Sequence, residues 1–225
     1  MLPIPFNSLH MARSPYRLVS FDMDSTLIQA ECIDELAKDA GVGDRVVVVT
    51  EAAMRGELDF RQALQERVAL LKGLTKDTLE SVYNRIELHP GAAELVKTLK
   101  ADGIHTAIAS GGFTFFANRF AERLGIDFVL ANVLETDSDL SLTGRVIGPV
   151  VDADAKAEKL KQLAEQLGLS LDQTAAIGDG ANDLKVMNTA GLGIAYCAKP
   201  IVAEQAKTRV DTPGLEQALP LLGLA

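Results

Sequence analysis

The 225-residue chain has only two cysteines, Cys32 and Cys197, and three histidines. Two cysteines cannot build a disulfide framework, and no Cys/His set has zinc-finger spacing. His10, His89 and His105 lie far apart with no partner set. Long apolar runs are missing as well. The most conspicuous one, Val46-Val47-Val48-Val49, ends at Arg45 and Thr50 and is far short of the ~20 residues a membrane span needs. Positive charge is scarce: 22 Lys and Arg stand against 31 Asp and Glu, a net charge of −9. Sequence-independent nucleic-acid binding draws on a basic surface, so that balance argues against a nucleic-acid partner. It leaves room for anionic small molecules, because a bound cation reverses the local field. The first fifteen residues lack the apolar core of a secretory signal. A cytoplasmic protein is the expectation, with residues 1–15 a leader and Met11 an alternative start.

What is present is an ordinary globular composition, 48% hydrophobic and 24% charged. Residues 17–21 read as a buried strand that stops at Asp22. From Cys32 to Ile86 the apolar spacing is helical. Ile33, Leu36, Ala37 and Ala40 form one stripe, residues 44–54 a possible second helix, Phe60, Leu64, Val68 and Leu71 a third, and Leu79, Val82, Tyr83 and Ile86 a fourth. The Val46–Val49 run is ambiguous between strand and helix. After His89-Pro90-Gly91, strands and helices alternate: strands at 104–109, 128–131, 174–177 and 191–195, a hairpin arm at 140–147, and helices at 92–101, 115–124, 155–167 and 184–190. That alternation predicts an α/β fold with a parallel sheet. The helical stretch, residues 31–88, reads as a cap inserted into a core made of 16–30 and 89–225. Ligands on such sheets sit beyond the carboxyl ends of the strands.

Three polar clusters follow directly on predicted strands: Asp22-Met23-Asp24-Ser25-Thr26, Ser110-Gly111-Gly112, and Gly178-Asp179-Gly180-Ala181-Asn182-Asp183. Sheet topology brings them to one edge. Asp22, Asp24, Asp179 and Asp183 would then repel one another unless a cation intervenes. Oxygen-only donors point to a hard ion, Mg²⁺ first. Taken singly, each cluster has a plainer reading. Asp137-x-Asp139 and Asp152-x-Asp154 show the same Asp-x-Asp spacing and read as turn residues. Ser110-Gly111-Gly112 alone reads as a tight turn, and Gly178-x-Gly180 lacks the third glycine of a dinucleotide fingerprint. Lys156 alone is a solvated lysine, of interest only if it faces the carboxylates. Glu31 alone is a helix-start carboxylate, and Arg67 alone is a surface arginine.

Taken together, in order and in strand context, the clusters resemble the four motifs of the haloacid dehalogenase-like phosphatases: Asp22-x-Asp24-Ser25-Thr26, Ser110, Lys156, and Gly178-Asp179-x-x-Asn182-Asp183. Glu31-x-Ile33-Asp34-Glu35, Met54-Arg55-Gly56-Glu57, Arg67-Val68-x-Leu70-Leu71 and Ala195-Tyr196-Cys197-Ala198-Lys199-Pro200 look most like the branch that acts on O-phospho-L-serine. The resemblance spans about Tyr16 to Leu222. It implies a three-layer Rossmann-like parallel sheet with an inserted helical cap. It also implies Mg²⁺-dependent hydrolysis through an aspartyl phosphate, the last step of serine biosynthesis, with one Mg²⁺ per chain.

The resemblance assigns roles residue by residue. Asp22 is the nucleophile and Asp24 the general acid and base. The metal is held by Asp22, Asp179 and the Asp24 carbonyl, with Asp183 behind them. Ser110, Gly111, Lys156 and Asn182 hold the phosphoryl group. Glu31 reads the substrate ammonium and Arg67 its carboxylate. Phe60 and Met54 are either site lining or core of the helical block. A related phosphomonoesterase, a phosphotransferase acting on homoserine and a non-catalytic binding module are the rival readings. Intact Asp22, Asp24, Lys156 and Asp179 weigh against the last. Many relatives carry a further N-terminal regulatory domain, for which residues 1–15 offer no counterpart, so feedback by serine through such a domain is not expected. Oligomeric state is not legible.

Overall fold

A computed structural model describes residues 14–224; of the leader, only Ser14 and Pro15 fall within it. The first strand, β1 (Leu18–Phe21), is buried at every position, as a central strand covered on both faces must be. Four helices follow: α1 (Cys32–Asp39), α2 (Gly43–Met54), α3 (Phe60–Ala69) and α4 (Lys76–Arg85). The four valines of the ambiguous run all lie in α2, where only Val46 is buried. Local signals set the starts of α3 and α4. Asp59 and Gln62 form a reciprocal capping box, and Thr75 accepts the Thr78 N–H.

The rest of the chain is α5 (Ala92–Ala101), β2 (His105–Phe113), α6 (Thr114–Leu124), β3 (Phe128–Thr136), β4 (Leu142–Ile147), α7 (Ala153–Gln166), β5 (Thr174–Gly178), α8 (Leu184–Thr189), β6 (Leu192–Tyr196), α9 (Pro200–Gln205) and β7 (Thr208–Val210). One seven-stranded sheet runs in the order β4-β3-β2-β1-β5-β6-β7. All neighbours are parallel except β3 and β4. Alternate residues feed two cores, as a pleated strand requires. Val19, Phe21, Ala175 and Ile177 face α5 and α6, and Leu18 and Ala176 face α7 and α8. The sheet is thus a middle layer between two layers of helices. No helix among the described residues is long and apolar enough to cross a membrane.

Register places the functional edge. Phe21 of β1 pairs with Ile108 of β2 on one side and Ile177 of β5 on the other. Asp22, Ser110 and Asp179 follow these three residues by one or two positions. The chain runs β1, β2, β3 in one direction and restarts at β5 on the far side of β1, so this edge is the switch point where open α/β sheets bind ligands.

Two expectations need correction. β2 does not stop before Ser110-Gly111-Gly112 but continues through it to Phe113, with a register shift after Ala109. Asn132 explains why the irregular stretch holds: its amide donates to the Gly111 carbonyl (2.8 Å) and accepts from the Val151 N–H (2.9 Å). β3 extends five residues past its expected end because β4 folds back on it as an antiparallel partner. The short α9 and β7 were not foreseen.

Helices α1, α3 and α4 share one continuous buried cluster with α5 and α6. Tyr83 of α4 meets Phe120 of α6 with ring centroids 4.9 Å apart. Phe120 is fully buried, so Phe120→Ala should cost about 3–5 kcal/mol and loosen the helical block from the sheet. Urea unfolding should show a lowered midpoint with unchanged slope; an unchanged midpoint would mean the two parts do not depend on this contact.

Candidate active site

The chain leaves β1 still bonded to the sheet, the Asp22 N–H reaching the Ile177 carbonyl at 2.9 Å. It then turns sharply. The N–H groups of Thr26, Leu27 and Ile28 all point to the Met23 carbonyl, and Ser25 takes a left-handed conformation with φ of 56°. The turn aims two carboxylates differently. Asp22 Oδ1 accepts the Met23 N–H (2.7 Å) and faces Lys156 Nζ (3.0 Å), which leaves Oδ2 for a ligand. Asp24 Oδ1 accepts the Cys32 N–H (3.0 Å) at the start of α1.

From β5 comes Asp179, whose Oδ1 accepts the Thr26 hydroxyl at 3.0 Å. Asp183 sits deeper. One of its oxygens takes the Lys156 ammonium (2.7 Å) and the other the Gly180 N–H (3.0 Å). A side chain at Gly178 would run into Asp183, so glycine is needed there for close approach. Lys156 projects from the first turn of α7, which Asp152 starts by accepting the Ala155 N–H (3.0 Å). Asp152 is therefore a helix cap, and Asp137 accepts the Asp139 and Ser141 N–H groups within a turn.

The electrostatics follow from this packing. Burial, with Glu31 and Asp22 nearby, raises the Asp24 carboxyl to a pKa of about 7. Burial and Asp22 raise Asp183 to about 7 against the pull of Lys156. Asp179 is raised by the same two causes. Glu31 is raised chiefly by burial, although its Oε1 accepts the Ser25 hydroxyl at 2.9 Å. Burial alone would depress Lys156, but Asp22 and Asp183 outweigh it and hold the ammonium above its ordinary pKa.

Oxygens of Asp22, Asp179 and Asp183 lie within 4.8 Å of one another, and all three residues are buried. This oxygen-only set suits a hard divalent cation. Within this set, Lys156 and Gly180 engage the Asp183 oxygens.

Above the carboxylates is a cleft of about 580 Å³. Asp22, Asp24, Ser110, Gly111, Asp179 and Asn182 line its floor, and Glu31, Phe60 and Arg67 line its helical side. The Phe60 ring covers Gly111 so closely that a Cβ there would lie 3.1 Å from the ring. Arg67 is half-buried, with Nε donating to the Ala63 carbonyl (3.2 Å). Met54 reaches the mouth and is 83% exposed. Lys156 is not among the lining residues: 1% exposed, it lies behind Asp22. Two residues at the site were not singled out from the sequence. Asn132 carries no local signal at all. Lys199, in the Ala195–Pro200 segment, lines the cleft.

The raised carboxyls carry a consequence for stability. Their folded-state pKa values exceed the ordinary ones, so the folded chain retains protons that the unfolded chain releases. The stability this contributes is full below about pH 4 and is lost as pH rises through about 7. A divalent cation restores it only where the carboxylates are ionised. The rise in melting temperature on adding Mg²⁺ to chelator-treated protein should therefore be larger at pH 8 than at pH 5. An equal rise at both would separate the cation from these carboxylates.

The haloacid dehalogenase-like hydrolase family model matches residues 19–188. A phosphoserine phosphatase of Streptococcus thermophilus is 52% identical over 205 residues, covering 91% of this chain and 95% of that protein. One from Archaeoglobus fulgidus is 49% identical over 208 residues, and the match spans 91% of this chain but only 60% of that longer protein. A solved substrate-bound phosphoserine phosphatase superposes with a TM-score of 0.86 at 42% identity, over 92% of this chain and 98% of that one. The motif order, the carboxylates at the β1/β5 edge and these matches agree: the chain belongs to the haloacid dehalogenase-like hydrolases.

Proposed function

We propose that the chain is a Mg²⁺-dependent phosphoserine phosphatase, hydrolysing O-phospho-L-serine to L-serine and inorganic phosphate. The observation that carries this is the pairing of two carboxylates with different surroundings beneath a cleft that also presents Glu31 and Arg67. Asp22, with one oxygen committed to Met23 and Lys156, offers Oδ2 to the phosphorus. Asp24, held near neutrality at about 7, has a proton to give.

In the first step Asp22 Oδ2 forms a bond to phosphorus. The bond from phosphorus to the serine oxygen breaks, and Asp24 protonates that oxygen as it leaves. In the second, Asp24, now a carboxylate, takes a proton from water while the water oxygen attacks phosphorus. The Asp22 carboxylate departs, leaving inorganic phosphate. Splitting one displacement into two is the gain from a covalent carboxylate. Asp22, Asp179 and the Asp24 carbonyl would hold Mg²⁺, with Asp183 beside them, and the ion would neutralise charge on the transferring phosphoryl group. Ser110, the Gly111 backbone and Asn182, which line the cleft floor, would hold the phosphoryl oxygens. Lys156 fixes Asp22 from behind the floor, and its positive charge there would favour a phosphoryl group attached to Asp22.

Residues 31–88 act in this reading as a cap that selects the substrate. A guanidinium is matched to a carboxylate, and a carboxylate to an ammonium. Arg67, half-buried, and Glu31, steadied by Ser25, supply that pair. Phe60 closes the apolar side.

Phosphate release from a panel of phosphorylated amino acids, sugars and nucleotides tests the reading, with phosphoserine expected first and activity lost in chelator. Arg67→Ala should cost phosphoserine about 2–5 kcal/mol in kcat/KM, since it leaves the substrate carboxylate without its partner. An aryl phosphate lacks that group and should be barely affected. Equal losses for both substrates would make Arg67 a structural or phosphate-holding residue. No loss for either would reduce the substrate to an unspecified phosphomonoester.

A further inference from the structure

The cleft wall carries four carboxylates, Asp22, Asp24, Glu31 and Asp179, and only two cations among the described residues, Arg67 and Lys199. Lys156, the cation the sequence offers for phosphate, is spent between Asp22 and Asp183 behind the floor. Lys199 is the ammonium that faces the space a substrate would fill.

Its setting separates a fixed pivot from a free end. The Lys199 N–H donates to the Asp179 carbonyl at 3.1 Å, tying its backbone to the carboxylate cluster. Its Nζ lies 3.7 Å from Asp179 Oδ2, beyond hydrogen-bond distance, and the side chain is 62% exposed. The ammonium also bears electrostatically on Glu31, on the helical side of the cleft. An exposed ammonium at that range gains little from one carboxylate. A divalent cation on Asp179 would repel it from that position, and with Glu31 taken up by the substrate ammonium in the proposed reading, the oxygens of a bound phosphoryl group are the anionic partners that the cleft then offers it.

We propose that Lys199 is a mobile phosphate-binding residue, standing against Asp179 when the carboxylates lack a cation and turning to the phosphoryl oxygens of substrate and of released phosphate when they hold one. This inference rests on the phosphomonoester reading of the site and adds a residue to it. It requires two effects of opposite sign from one substitution. Removing the ammonium takes a partner from phosphate and a competitor from the metal.

Calorimetric titration of the whole chain tests it with two probes. Inorganic phosphate added to Mg²⁺-saturated protein should bind about tenfold more weakly to Lys199→Met than to wild type, the loss of one charged hydrogen bond. Mg²⁺ added to phosphate-free, chelator-stripped protein should bind about 2–5-fold more tightly to the same variant, in line with one exposed ion pair removed. Lys199→Arg keeps the charge and should keep most of the phosphate affinity. Unchanged phosphate affinity in Lys199→Met would overturn the proposal. So would an equal loss in Lys199→Arg together with unmoved Mg²⁺ affinity. Neither titration contains phosphoserine. A chain that bound phosphate through Lys199 yet left phosphoserine intact would overturn the substrate reading and leave this one standing.

Discussion

A buried ammonium between two buried carboxylates makes this site possible. Lys156 reaches Asp22 at 3.0 Å and Asp183 at 2.7 Å, with both partners almost sealed from water. Taking three charges out of water is costly, and the arrangement persists only because each charge is met by another and by hydrogen bonds. Asp22 also takes the Met23 N–H, and Asp183 the Gly180 N–H. Removing the ammonium would leave carboxylates at the β1/β5 edge facing one another with nothing between them. The fold serves this contact from two sides. Asp152 starts α7 so that Lys156 projects from its first turn, and the glycine at 178 lets Asp183 come close beneath the strand end.

The division of labour among the carboxylates follows from that anchor. Asp22 is pinned by one oxygen and open at the other. Asp24 lies two residues on, just before a left-handed Ser25, and its carboxylate is tied to the first turn of α1. It is buried without a cation bonded to it, so its proton stays on until about pH 7. In the proposed reaction, two chemically identical side chains thus take the nucleophile and acid roles through surroundings alone. The helical block completes the site by adding Glu31, Phe60 and Arg67, which the sheet edge could not supply.

Much of this was legible in the sequence because it is written at short range. Strands that are buried on both faces read as apolar runs, and a polar cluster directly after such a run marks the sheet edge whatever the rest of the chain does. Three of the four helices of the block declared themselves through stripes such as Phe60, Leu64 and Val68, while the valine run left α2 ambiguous. What stayed hidden depends on tertiary neighbours. β2 was expected to end before two glycines, yet Asn132, a residue of the next strand, stitches the irregular stretch into the sheet. β3 ran long because a later hairpin paired with it. The short α9 and β7 offer too few residues for periodicity to register. Lys156 was found by its motif, but its place behind Asp22 rather than in the cleft is a matter of depth, which spacing does not encode. For Lys199 the difficulty was the reverse: an exposed lysine after a strand looks like any solvated one until the charges across the cleft are counted.

The central claim is that Asp22 Oδ2 becomes covalently bonded to phosphorus. Phosphoserine labelled in its phosphoryl group, mixed with the chain and Mg²⁺ and quenched in acid within milliseconds, tests this directly by peptide mapping. The account predicts label on the peptide containing Asp22 that appears before free phosphate and is absent from Asp22→Asn. Label on Ser25 or Ser110, or phosphate release by Asp22→Asn at a near-normal rate, would contradict it.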